Sequence, residues 1–379
     1  RGAVTWKSIV GTNVAADALS NLASPGVMGG VLVVVGEDYG EGASVIQERT
    51  HAYALKSGML LLDPRPELAR MVDLVEHGFA LSEASHMPAL MELRIRACHV
   101  RGSFTARNNR PPAISTRALL QEPAAFDYAR LAHPPVTFRH EKLKHDERLP
   151  AARRYILEHG LNDLLPGKHA DLGLIVQGGL TNTLVRALQT FGLANAFGDL
   201  DIPTLVLNVT SPLVPAQIAD FCAGKRAVLV LEEGQPEYIE QEIATLLRRR
   251  DIPTPLYGKD LLPMGGEYTV EVIAAGLAAW MARVLPQFDT SDVRAWLDGN
   301  RALRAEVAAA LPAPLPARPP GFCIGCPERP VFSAIKLAQQ TVGPVHVAAD
   351  IGCHAFGTFE PFSTGHTILG YGMSLASRA

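Results

Sequence analysis

At 379 residues, 47% of them hydrophobic and 19% charged, the chain can bury several cores and is long enough for two or three domains. A net charge of -3 leaves no electrostatic footprint for nucleic acid, and no run of about eighteen apolar residues offers a membrane span. Five cysteines, an odd number without disulfide-like pairing, fit a reducing compartment, the cytoplasm.

The opening residues from Arg1 read as a helix-like run from the middle of a domain. Residues 31–35 are a short apolar run between Gly29-Gly30 and Gly36, the signature of a parallel strand buried on both faces. The acidic loop after it, 37–42, lies where ligands bind in open α/β sheets, and reads equally as a cofactor loop or a surface turn. Ser44-Val-Ile-Gln47 supplies a capping box for the next helix. A second strand at 59–62 ends in Asp63-Pro-Arg-Pro, a helix follows to about Phe79, and a third strand at 89–95 delivers Arg96 and His99 at its end.

Proline pairs and the mixed charge run His140-Glu-Lys-Leu-Lys-His-Asp-Glu-Arg148 mark 110–149 as an excursion rather than core, with its histidines solvated. A new βαβαβα unit follows, with strands at 172–177, 204–208 and 227–231 and helices through Phe191, at 215–222 and from Pro236. Its Gly178-Gly179 lacks the GxGxxG pattern and a Walker lysine, so close helix packing explains it better than a nucleotide does. Glu232-Glu233 at a strand end reads as an acid/base pair or, more simply, as structure. Ala-rich helical runs then fill 270–284 and 293–310, ahead of a Pro-rich stretch.

Chemistry concentrates near the carboxyl end. Cys323-Ile-Gly-Cys326 is joined by Cys353, which a helix at 334–340 and a strand at 345–349 bring round behind Asp350-Ile-Gly352. A thiolate pair two residues apart can grip one metal site, and a third thiolate completes most of an iron-sulfur cluster's coordination. A dithiol, half a zinc site, or unrelated buried thiols are the plain alternatives. Zinc lacks a second ligand pair at finger spacing, and the Pro-rich stretch before Cys323 is no thioredoxin-like strand. Gly370 and Gly372 free the backbone to approach a diphosphate or a neighbouring helix.

Three runs carry a resemblance: Arg318-Pro-Pro-Gly-Phe-Cys-Ile-Gly-Cys-Pro-Glu-Arg-Pro, Ala349-Asp-Ile-Gly-Cys353 and Gly370-Tyr-Gly-Met-Ser. They resemble the start of the thiamine-diphosphate-binding domain in the alpha subunit of the indolepyruvate:ferredoxin oxidoreductase family. Thr12-Asn-Val-Ala-Ala-Asp17 and Gly29-Gly-Val-Leu-Val-Val-Val-Gly-Glu-Asp38 are similar to the family's pyrimidine-binding domain. The resemblance implies a multi-domain α/β fold, in which parallel-sheet thiamine-diphosphate-binding folds flank a transketolase C-terminal-like domain. It divides the chain into a partial pyrimidine-binding domain (1–109), an excursion (110–165), the transketolase C-terminal-like domain (166–285), a helical and Pro-rich linker (286–320) and the start of the diphosphate-binding domain (321–379).

The same resemblance implies oxidative decarboxylation of aryl 2-oxoacids to acyl-coenzyme A, with thiamine diphosphate, Mg2+ and a [4Fe-4S] cluster. Its partners are a beta subunit, separate or fused, and ferredoxin, in an oligomer that involves neither nucleic acid nor membrane. Cys323, Cys326 and Cys353 are then cluster ligands, Asp350, Gly352, Gly370 and Gly372 cofactor-binding, and Arg96 and His99 substrate-binding. A strand-end arginine can hold a 2-oxoacid carboxylate bidentately, although such an arginine more often pairs with a neighbouring acid. The chain reads as a fragment cut at both ends, with the activating glutamate upstream and the metal-binding Gly-Asp-Gly, Asn and fourth cysteine downstream. Glu328 departs from the histidine many relatives carry after Cys-Pro. A non-redox thiamine-dependent decarboxylase and a non-catalytic, metal-binding assembly subunit are the alternatives.

Overall fold

The chain opens on a strand, not on the helix its first residues suggest. β1 (Gly2–Lys7) pairs in parallel with β2 (Val31–Glu37), and the helices Ser8–Val14 and Ala16–Ala23 begin only after it. Val4, Thr5 and Trp6, β-branched and aromatic, suit an edge strand better than a helix. The computed structural model describes residues 1–37, 39, 46–109, 116–123, 127–314, 321–370 and 373. Arg1–Arg301 form one compact unit and Ala302–Ala379 a second.

In the first unit β3 (Leu60–Leu62) and β4 (Ala89–Arg94) complete a parallel sheet with β1 and β2. Alternation sorts its side chains onto two faces. Leu32, Leu62 and Met91 meet Leu74 and Leu81 of the helix Leu68–Ser85, while Val33, Val35, Leu61 and Leu90 meet Leu19 and Ala54 on the other side. Each such fully buried leucine contributes roughly 1.5–3 kcal/mol. Two boundaries shift from expectation. Residues 46–49 are not helical and the helix opens at His51, running His51–Ser57; Ser44 itself lies outside the described residues. The helix expected to stop near Phe79 continues to Ser85, where His86 turns left-handed at φ 55 and ends it.

The excursion proves partly core. Thr137–Leu143, a π-turn at Lys144–Arg148 and Leu149–Glu158 run on as successive helical segments. Ala152 and Ile156 are buried in the same core as Leu74 and Leu81. His140, read as solvated, is 2% exposed, whereas His133 and His145 do face solvent. The charge run misled because its buried residues, His140 and Arg148, are themselves polar and so carry no hydrophobic signal.

Beyond it, β5 (Asp163–Leu165) runs antiparallel to β7 (Thr204–Leu207), at the edge of a second sheet with β6 (Leu172–Gln177), β9 (Ala227–Leu231) and β10 (Leu256–Tyr257), in the order β10-β9-β6-β7-β5. Every residue of β6, β7 and β9 is buried, as for parallel strands covered on both faces. The strand expected at 204–208 stops at Leu207. After the single residue Asn208, β8 (Val209–Ser211) leaves for the first sheet and runs antiparallel to β3. Asn208 secures this crossing: its side chain donates to the Leu161 carbonyl and Asp163, each at 2.9 Å, and accepts from the Arg65 N–H at 2.8 Å.

The second unit builds on the helix Glu328–Val342 and a parallel pair, β11 (Ala348–Ala349) with β12 (Thr367–Ile368). Phe322, Phe332, Phe356 and Phe362 form its aromatic centre, with ring centroids 5.3–5.9 Å apart. No helix among the described residues is long and apolar enough to cross a membrane.

Candidate functional site

In the first unit the carboxyl ends of β3, β4, β6 and β9 converge, the place where open α/β sheets bind ligands. What occupies it is an ionic network. The Arg94 guanidinium is buried, donates to Asp63 at 2.8 Å and to Glu233, and lies 5.0 Å from the centre of the Tyr39 ring. Arg49 donates to Glu232 at 2.6 Å, and Glu232 also accepts the backbone N–H groups of Ile239 and Glu240 at the start of the helix Tyr238–Arg249. Glu233 receives Arg94, Arg96 and the Tyr268 N–H. Both glutamates are therefore committed to holding structure.

Gly178 and Gly179 serve the same junction. A Cβ on Gly178 would stand 1.7 Å from the Asp63 carbonyl oxygen and one on Gly179 2.2 Å from Arg94 Nε. The glycines admit the neighbouring strand ends and cradle no phosphate.

Arg96 turns into this network. It donates to Glu233 at 2.6 Å, to the Tyr268 carbonyl at 2.8 Å and to Thr183 at 3.1 Å, and its Nε is 3.1 Å from Glu267. His99, which caps the short helix Ile95–Cys98, is exposed. The structure does not join the two into one substrate clamp.

Of three neighbours, Glu92 and His51 escaped sequence reasoning, and Glu37, read there as the start of an acidic loop, is the buried last residue of β2. Burial pushes the Glu37 carboxyl up to about 7; Oε1 accepts the Thr50 N–H at 2.8 Å, and Oε2 is buried without a partner among the described residues. Burial, with the Glu37 and Asp63 charges beside it, also raises Glu92, which accepts the Tyr39 hydroxyl at 2.8 Å. His51 is held neutral by burial and by Arg49. The legible signal was Glu92, a lone acid between apolar neighbours in a buried strand.

In the second unit, the Cys326 N–H closes a turn on the Cys323 carbonyl at 3.1 Å, through Gly325 at φ 77. Cys353 opens the 3-10 helix Cys353–Thr358 directly after Gly352, whose φ of 125 only glycine adopts readily. The two turns are neighbours: Phe322 meets Phe356, and His354 Nε2 stands 3.9 Å from Glu328, the residue that departs from the family pattern. Glu328, Phe332, Asp350 and His354 line a cavity of 340 Å³. A Cβ on Gly370 would lie 3.9 Å from Asp350 Oδ1, so these two expected cofactor residues adjoin. Gly372 lies outside the described residues.

All three cysteines are free thiols, with Cys323 and Cys353 exposed and Cys326 half-buried. Soft, accessible thiols suit an iron-sulfur cluster in donor chemistry. The geometry is not closed: among the described residues no group of three His, Cys, Asp or Glu is gathered tightly enough to hold a metal ion.

No family model matches the chain. It is 27% identical over 381 residues to the indolepyruvate oxidoreductase subunit IorA of Methanothermobacter marburgensis, covering 98% of this chain and 56% of that protein. The IorA subunits of Thermococcus kodakarensis, 26% identical with 98% of this chain covered, and of Archaeoglobus fulgidus, 27% identical with 93% covered, match likewise. The chain is thus similar to IorA subunits along nearly all of its length. It spans about half the length of these curated relatives. A solved 2-oxoglutarate:ferredoxin oxidoreductase from Magnetococcus marinus superposes with a TM-score of 0.51 at 15% identity, over 73% of this chain and 52% of that one. That likeness is one of fold, and the α/β, parallel-sheet class expected of the chain is the class observed.

Proposed function

We propose that the chain is part of a thiamine-diphosphate-dependent 2-oxoacid oxidoreductase of the indolepyruvate type, which converts an aryl 2-oxoacid and coenzyme A to an acyl-CoA and passes electrons to ferredoxin with a beta subunit as partner. The observation that carries this reading is the similarity to IorA subunits along 98% of the chain. When bound, thiamine diphosphate with Mg2+ supplies the carbanion chemistry of decarboxylation, and a [4Fe-4S] cluster takes electrons singly. Cys323, Cys326 and Cys353 supply three cluster ligands. Asp350 and the bare backbone at Gly352 and Gly370 would hold the diphosphate, with Gly372 a candidate from the sequence alone. Arg96, engaged by four partners, positions the strand end, while exposed His99 is left to meet substrate.

The test is an anaerobic assay of the full-length protein with its partner subunit, thiamine diphosphate, coenzyme A and indolepyruvate. Ferredoxin reduction coupled to carbon dioxide release is expected, together with bound iron. Carbon dioxide without ferredoxin reduction would establish the non-redox decarboxylase instead, and zinc without iron or turnover the metal-binding assembly subunit.

A further inference from the structure

A cavity of about 490 Å³ sits in the first unit, away from the strand-end network, between the end of the helix Leu68–Ser85 and the helical run 137–158. Four guanidinium groups line it: Arg130 from the 3-10 turn Tyr128–Arg130, Arg139, Arg148 and Arg154. Against them stand two carboxylates, Asp127 and Glu147, and Asp127 already accepts the Ala129 N–H at 3.0 Å. The wall therefore carries two positive charges in excess.

Arg148 is 8% exposed and anchored on the Ser24 and Pro25 carbonyls at 3.1 and 2.6 Å. It is a fixed donor, not a mobile surface side chain. His140 also lines the cavity at 2% exposure: Nε2 binds the Leu131 carbonyl at 3.1 Å, while Nδ1 is buried and has no partner among the described residues.

From these features we infer that this cavity is a binding site for a phosphorylated small molecule. Guanidinium forks arriving from several helical segments suit a tetrahedral oxyanion, which accepts hydrogen bonds from several directions, better than a planar carboxylate. Ala84, Leu143 and Ala151 provide apolar wall for an organic body beside the phosphate. The site shares no residue with those assigned above to the substrate, the diphosphate or the cluster.

Isothermal titration calorimetry of the protein with ADP, inorganic pyrophosphate, adenosine and succinate tests the assignment. ADP and pyrophosphate should bind saturably and adenosine and succinate should not. The Arg139→Ala/Arg154→Ala variant removes two exposed side chains, leaves the buried anchors, and should weaken both phosphate ligands about tenfold or more. Its melting temperature without ligand reports whether the fold is kept; if it falls, Arg139→Lys/Arg154→Lys, which keeps charge but loses the forks, should still bind more weakly than the parent. No binding of either phosphate ligand, equal binding of succinate, or unchanged affinity in these variants overturns the proposal.

Discussion

The strand-end network of the first unit and the cysteine turns of the second both lie where α/β folds place ligands, and they treat polar groups in opposite ways. Arg94, Arg96, Glu232 and Glu233 have their hydrogen bonds filled by protein. Cys323 and Cys353 face outward as free thiols. Saturated charge in low dielectric is architecture, because removing either partner strands the other; unpaired soft donors at the surface cost the fold little and remain available for chemistry.

The contrast predicts a graded series. Arg94→Ala should have the largest effect, since it leaves Asp63 buried without its cation and Glu233 with Arg96 alone; a loss of about 3–5 kcal/mol is expected, seen as a large fall in melting temperature or as insoluble protein. A near-normal melting curve would mean that the network is not load-carrying. Gly178→Ala comes next at about 1–3 kcal/mol, because the new methyl must displace the Asp63 carbonyl from a place 1.7 Å away.

Glu37 sharpens the comparison through pH. The proton on its carboxyl stabilises the fold fully below the ordinary value of 4.5, and that contribution is lost as pH rises through about 7. Glu37→Gln should therefore be more stable than the parent at pH 8, by on the order of 1–2 kcal/mol, with the difference vanishing near pH 4. Thermal melts across that range measure it, and equal stability at pH 8 would refute the assignment.

The smallest structural effect belongs to the second unit. Cys353→Ser should shift the stability of the metal-free protein by less than about 0.5 kcal/mol, yet abolish the cluster's visible absorption in anaerobically purified full-length protein. Thiol labelling of metal-free protein should modify Cys323 and Cys353 quickly and spare Cys222, which is fully buried and whose thiol burial pushes up to about 12. Rapid labelling of Cys222, or an unaltered cluster in Cys353→Ser, would erase the distinction.

Local pattern determined much of this protein. Apolar runs between glycines and prolines announced β2, β4, β6 and β9, because a strand covered on both faces has no other composition available. The order and spacing of Cys323, Cys326 and Cys353 announced the resemblance before any coordinates. Tertiary structure alone decided what Arg96 does, since Glu233 and the Tyr268 carbonyl lie 137 and 172 residues away and no local window contains them. It likewise decided that Asn208 hands the chain from one sheet to the other and that His140 is buried. A hydrogen bond or a burial depends on which distant surfaces meet, and periodicity tells only which face of an element seeks cover, not what covers it.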